Sequence, residues 1–193
     1  MTAPLKVLVA DDETIIAMGI ETTLAKMGHA VVGRARTGGE AVAKAVELSP
    51  DLVIMDVKMP DMDGIEASRR ILAHRAVPIV ILSAYSDSDL IERADAVGVS
   101  NYLVKPVTEA DLRPALTLAI SRFRQLHALE EEVGSLKEAL RTRKLVERAK
   151  GILMDRKGLS EADAFKTLQH MSRNQNIPMA KLAESILAAH SLI

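Results

Sequence analysis

The chain has 193 residues, enough for one large domain or two small ones with a proper hydrophobic core. It has no cysteine, which excludes a disulfide framework and thiol chemistry, and no apolar run approaches membrane-spanning length. The net charge of −1 is unevenly divided: residues 1–120 carry a net −5 and residues 137–193 a net +5, so an acidic front module and a basic rear module suited to a polyanion are expected. Nothing at the amino terminus resembles a signal peptide, because Val7-Leu8-Val9-Ala10 is short and runs straight into Asp11-Asp12. A cytoplasmic protein with no membrane contact is the expectation. The histidines (His29, His74, His127, His170 and His190) are scattered without metal-ligand spacing and are assigned no role.

In chain order, strands are predicted at 5–10, 30–35, 51–56, 78–83 and 101–104, alternating with helices at 14–27, 38–48, 64–74, 87–97 and 108–124. Such alternation predicts an α/β fold with a parallel sheet covered on both faces. Gly28 stops the first helix, and Pro50 and Pro78 sit just before strands. The chemistry gathers where strands end. Val7-Leu8-Val9-Ala10 leads into Asp11-Asp12-Glu13, and Leu52-Val53-Ile54-Met55 leads into Asp56. Ser83 closes Val80-Ile81-Leu82, and Lys105-Pro106 follows Tyr102-Leu103-Val104. Carboxylates delivered to one rim repel unless a cation or proton neutralises them. Carboxylates, a hydroxyl and a lysine at four strand ends suit phosphoryl transfer onto an aspartate, with a hard cation holding phosphate oxygens.

Residues 5 to about 122 resemble the receiver domain of two-component response regulators, on Asp11-Asp12, Asp56-x-x-Met59-Pro60-x-Met62-Asp63-Gly64, Ser83, Tyr102 and Lys105-Pro106. The resemblance implies a flavodoxin-like, doubly wound, five-stranded parallel sheet of order 2-1-3-4-5. It implies that Asp56 accepts a phosphoryl group from a sensor histidine kinase. Mg²⁺ would be held by Asp12, Asp56 and the backbone carbonyl of Lys58, with Asp11 acting through water. Lys105 would pair with the phosphoryl oxygens, Ser83 would donate a hydrogen bond, and Tyr102 would then switch inward. A cis Lys105–Pro106 bond is expected, as in relatives. Lys58 and Tyr85 occupy the positions that influence how long the acyl phosphate lasts. Such a domain promotes only its own phosphoryl transfer and dephosphorylation, so a stand-alone enzyme is not expected.

From Ala115 to Arg148 there is no proline, and Leu126, Leu129, Val133, Leu136 and Leu140 alternate three and four apart, which is a heptad seam. A helical coiled-coil linker over 123–140 and a homodimer on activation are expected; the other reading packs this stripe on the chain's own terminal domain. Residues 141–193 read as a small three-helix domain. Its first helix stops at Lys157-Gly158, its second starts at the capping box Ser160-Glu161-Ala162-Asp163, and its third starts near Pro178. Ala164, Phe165, Leu168 and Met171 are expected to form the apolar face of the second helix, with Phe165 in the core.

Ala149-Lys150-Gly151-Ile152-Leu153-Met154, Gly158-Leu159-Ser160-Glu161, Ala164-Phe165 and Ser172-Arg173-Asn174-Gln175-Asn176 resemble the ANTAR domain of transcription antitermination regulators. That resemblance implies binding of RNA stem-loops in transcript leaders. Candidate phosphate contacts are Arg141, Arg143, Lys144, Lys150, Arg148, Arg156 and Lys157; Arg173, Asn174 and Asn176 are candidates for unpaired bases. Lys150 and Arg173 lie inside the matching phrases. With no Trp and four Phe and Tyr in all, base contacts are expected from polar side chains. The alternatives are a DNA-binding helix-turn-helix, for which Lys181 is the third helix's only Lys or Arg, and a protein-interaction module.

Overall fold

The computed structural model describes residues 3–84 and 88–191. The chain forms two compact units, residues 1–127 and 128–193. The first begins β1 (Lys6–Ala10), α1 (Thr14–Lys26), β2 (Ala30–Ala35), α2 (Gly38–Leu48), β3 (Leu52–Asp56) and α3 (Gly64–His74). It continues with β4 (Ile79–Ser83), α4 (Ser88–Val97) and β5 (Asn101–Val104), followed by the start of α5 (Glu109–Lys157). All neighbouring strands pair in parallel, in the order β2-β1-β3-β4-β5.

Every residue of β3 and β4 is buried, as expected for central parallel strands covered on both faces. Strand alternation divides their side chains between two layers. Val7, Val9, Leu52, Ile54, Val80 and Leu82 pack with α1 and α5 residues, including Ile20, Leu24, Leu112 and Leu116. Leu8, Ala10, Val53, Met55, Ile79 and Ile81 face the opposite layer, with Ala41 and Ala45 of α2 and Ala67 and Ile71 of α3. Each large aliphatic side chain buried in this way contributes about 1.5–3 kcal/mol relative to exposure. Gly28, at φ 85°, ends α1 in the left-handed region that glycine adopts without a Cβ penalty.

His29 enters β2 buried, and its Nδ1 accepts a 3.4 Å hydrogen bond from the Leu5 N–H. Burial, reinforced by the Arg113 charge, lowers its pKa below the ordinary value. As pH falls through about 6.5 the unfolded chain therefore takes up this proton before the folded chain does. The stability that neutral His29 contributes is fully present above that pH and is lost on acidification towards the folded pKa. Urea unfolding across this window is expected to show stability rising with pH, with a smaller slope in His29→Asn.

α5 runs unbroken for 49 residues. Leu126, Leu129, Val133, Leu136 and Leu140 are all exposed, and within the second unit the terminal helices leave the last four of them uncovered. The long helix with its heptad spacing fits a coiled coil. In the second unit the last part of α5 packs with α6 (Glu161–Gln175) and α7 (Met179–Ser191) around Val146, Ala149, Leu153, Ala164, Leu168, Leu182 and Ala183. Ser160 caps α6: its Oγ accepts from the Asp163 N–H at 3.2 Å and donates to Asp163 Oδ2 at 2.7 Å. Among the described residues, no helix is long and apolar enough to cross a membrane.

Candidate functional site

The carboxyl ends of β1, β3, β4 and β5 converge on a pocket of about 350 Å³ lined by Asp12, Glu13, Asp56, Lys58, Ser83 and Lys105. Asp56 is the last residue of β3 and Ser83 the last of β4; both are buried. The Lys105 N–H donates to the Ser83 carbonyl at 2.7 Å, which fixes the chain as it leaves β5, and the Lys105–Pro106 bond is cis. Lys105 Nζ then reaches across the pocket to Asp11 Oδ2 at 2.8 Å and Asp56 Oδ1 at 3.0 Å, with Glu13 Oε1 at 3.9 Å.

Carboxylate oxygens of Asp11, Asp12 and Asp56 lie within 4.8 Å of one another. Asp11 Oδ2 is buried and has Lys105 Nζ as its close cationic neighbour, while the Asp11 Oδ1 accepts from the Glu13 N–H at 2.9 Å. Three carboxylates this close carry more negative charge than the one lysine offsets, and their hard oxygen donors fit a small divalent cation such as Mg²⁺. Burial pushes the Asp56 carboxyl above its ordinary pKa, with Asp11 and Asp12 adding to the rise and Lys105 opposing it. Burial also works against the Lys105 ammonium, but its attraction to Asp11 and Asp56 outweighs that and holds its pKa up. The lysine is a fixed cation within an acidic cluster.

The loop after Asp56 is pinned on two sides. Asp61, at φ 69°, accepts from the Gly38 N–H at 3.1 Å and from the Gly39 N–H at the start of α2. Asp63 caps α3 by accepting from the Glu66 N–H at 2.7 Å, and it pairs with Arg93 of α4 at 2.8 Å. Burial opposes ionisation of Asp63, but these partners prevail and lower its pKa. Gly64 presses directly on the strand end: a Cβ there would overlap the Asp56 carbonyl oxygen and lie 2.9 Å from the Met55 side chain.

The structure thus brings Asp11, Asp12, Asp56, Lys58, Ser83 and Lys105 to one rim. Tyr102 stands apart, 40% exposed on the edge strand β5. Tyr85 lies outside the described residues. Glu13, which lines the pocket, was legible as the third acid of its run but was assigned no role.

In the second unit Arg143, Lys144, Arg148, Arg156, Lys157, Arg173, Asn174 and Asn176 are all exposed. At 3.6 residues per turn the α5 cations spread around the helix rather than along one face. Asn176 also ends α6 in the left-handed conformation, φ 52°. Lys150, a candidate RNA contact, is instead seen to be ion-paired. It is 7% exposed, and its Nζ lies 2.6 Å from Glu147 and 2.8 Å from Glu161. Hydrogen bonds to Glu147 and then Glu161 raise its pKa. Its charge already ties α5 to the first turn of α6. Phe165 requires a correction too: expected in the core, it is 40% exposed. Ala164, Leu168 and Met171 already make the face turned to α5 and α7, and the position after Ala164 is rotated about 100° from it.

The first unit is an α/β fold with an acidic pocket at its strand ends, and a helical unit follows it. Residues 7–117 match the response regulator receiver domain family and residues 134–187 the ANTAR domain family. The chain belongs to the response regulators, with an ANTAR domain as its output. It is 50% identical over 184 residues to the transcriptional regulatory protein PdtaR of Mycobacterium tuberculosis, a match covering 95% of this chain and 90% of that one. Among solved structures, Vibrio cholerae chemotaxis protein CheY4 is 33% identical with TM-score 0.56, over 60% of this chain and 98% of that chain. The CheX-CheY-BeF3-Mg2+ complex from Borrelia burgdorferi is similar at 27% identity and TM-score 0.57, over 62% and 90% of the respective chains.

Proposed function

We propose that this response regulator is a phosphorylation-controlled, RNA-binding transcription antiterminator. Residues 1–122 form the phospho-acceptor domain, 123–140 a coiled-coil linker and 141–193 the RNA-binding domain. One observation carries the reading: the Asp56 carboxylate lies 3.0 Å from Lys105 on a pocket wall, in a chain whose output unit matches ANTAR.

Asp56 Oδ attacks the phosphorus of a phosphohistidine on a sensor histidine kinase. The new O–P bond forms as the N–P bond breaks, and the electron pair returns to the imidazole, which takes up a proton. Lys105, already poised between Asp11 and Asp56, then pairs with the arriving phosphoryl oxygens. Ser83 donates a hydrogen bond to them, and Tyr102 leaves its exposed position and turns inward, which alters the β4–β5 surface. Asp12, Asp56 and the Lys58 carbonyl would hold Mg²⁺, with Asp11 acting through water, and the cation would supply charge neutralisation for the phosphate oxygens. The Mg²⁺ named in the similar Borrelia complex supports that choice of cation.

A second copy of the chain covers the exposed seam of α5. Two linked output units can then engage two stem-loops, the second contact gaining from effective concentration. Arg143, Lys144, Arg148, Arg156 and Lys157 meet phosphates, and Arg173, Asn174 and Asn176 meet unpaired bases. Lys150, paired with Glu147 on its own helix, ties α5 to α6 through Glu161 and so holds together the helices that carry these side chains.

Recovery of crosslinked RNA from cells carrying the native chain or Asp56→Asn tests the reading. Tandem stem-loops in transcript leaders, enriched only with the native chain, are expected. Equal recovery from both would remove the phosphorylation gate, and no enrichment from either would overturn RNA binding.

A further inference from the structure

Phe165 is the one Phe, Tyr or Trp in residues 128–193. It opens onto a groove of about 590 Å³ between α5, α6 and the start of α7. Val146 and Met179 supply apolar walls, and Thr142, Glu138 and Arg143 supply the polar lining. A half-exposed phenyl ring in such a groove differs from a core residue whose exposure is incidental. The core layer of α6 is complete without it, because Ala164 and Leu168 are buried against Val146, Ala149 and Leu153.

Resting on the RNA-binding reading above, we infer that this groove receives one unpaired RNA base, stacked on Phe165. The occupant follows from the charges. Glu138 and Glu147 both line the groove, and although Lys150 offsets Glu147, Glu138 still repels a phosphate, so the groove itself suits a neutral group. A base is flat and apolar on its faces, which matches Phe165 and Met179. An N–H on the base edge gives Glu138 a donor to accept from. Arg143 supplies the cation for the phosphate that follows the base out of the stack. Aromatic stacking on single-stranded nucleic acid tolerates sequence but requires an unpaired base, so the site selects a loop over a duplex.

The test uses the full-length chain and a hairpin RNA selected against it from a pool with a randomised loop. Phe165→Leu keeps the apolar volume and removes the ring. It is expected to weaken binding about ten- to a hundred-fold, equivalent to ~1.4–2.8 kcal/mol. Phe165→Trp is expected to retain affinity. Because no phosphate contact is lost, the salt dependence should stay unchanged in Phe165→Leu, whereas Arg143→Gln should lower the slope by about 0.7. Abasic nucleotides placed through the loop complete a double-mutant cycle. At one position, loss of the base should weaken the native chain and cost nothing further in Phe165→Leu.

Additive losses at every position, or equal affinity of native and Phe165→Leu chains, would overturn the stacking site while leaving RNA binding intact. Failure to select any RNA would overturn the parent reading and this one with it. A change in self-association by sedimentation in Phe165→Leu, with unchanged RNA affinity, would reassign the groove to contact between copies of the chain.

Discussion

Asp56→Asn is expected to leave no hydroxylamine-labile phosphate on the chain after incubation with a phosphorylated histidine kinase or a small acyl phosphate. The amide keeps the shape of the carboxyl group but has no anionic oxygen to attack phosphorus. Persistent labelling would overturn the assignment of Asp56. The same substitution is expected to stabilise the metal-free fold. Burial raises the Asp56 pKa, with Asp11 and Asp12 adding to it, and Lys105 only partly compensates. A carboxyl whose folded pKa lies above its unfolded value of about 3.9 binds more protons when folded, so its contribution becomes unfavourable as pH rises through that window. At neutral pH in EDTA the ionised group opposes folding, and the neutral amide of the variant removes that opposition. Adding Mg²⁺ should then stabilise the native chain more than the variant, because the cation loses an anionic ligand in the latter. Calorimetry of both proteins with and without Mg²⁺ reads these effects together.

Gly64→Ala is expected to be the most damaging single-methyl change in the α/β unit. The added Cβ meets the Asp56 carbonyl oxygen, a backbone atom at the end of a fully buried strand, and the Met55 side chain at 2.9 Å. Neither α3 nor β3 can give way cheaply: the Gly64 N–H donates to the Val57 carbonyl at 2.8 Å, and Asp63 is held by both Glu66 and Arg93. Overpacking against backbone costs roughly 3 kcal/mol here, a Tm loss of about 10 °C, and should also slow phosphoryl acceptance by displacing Asp56. Gly134→Ala makes the opposite control. Nothing lies within 4 Å of its added Cβ, and it sits inside a long exposed helix, so the same change should stabilise that helix by about 1 kcal/mol. Equal stability of Gly64→Ala and the native chain in calorimetry would contradict the packing argument.

Most of the α/β architecture was legible because local signals agreed. Apolar runs marked β3 and β4, Gly28 marked the end of α1, and the strand-end residues Asp56, Ser83 and Lys105 marked the rim. The order of strands came from family resemblance, since periodicity carries no information about which strands are neighbours. The output unit was less legible. Helical spacing placed Phe165 beside Ala164 and Leu168, but a spacing rule cannot say how wide the buried face is. That depends on how closely α5 and α7 approach, and small Ala149 and Ala183 fill the contact without the phenyl ring. The pairing of Lys150 was hidden for a related reason. A lysine inside a basic segment reads as a free cation until folding brings Glu161 of α6 within 2.8 Å of it.

The sequence by itself determined the identity of the acidic, hydroxyl and lysine groups, their positions at strand ends, and the heptad spacing of the linker. These are properties of residue order and period. Only the tertiary structure decided that Lys105 bridges Asp11 and Asp56, that Gly64 must lack a side chain, that Lys150 is consumed by two glutamates, and that Phe165 faces an open groove. Each of those depends on distances between segments far apart in the chain, and such distances are set by how whole helices and strands pack rather than by any local preference.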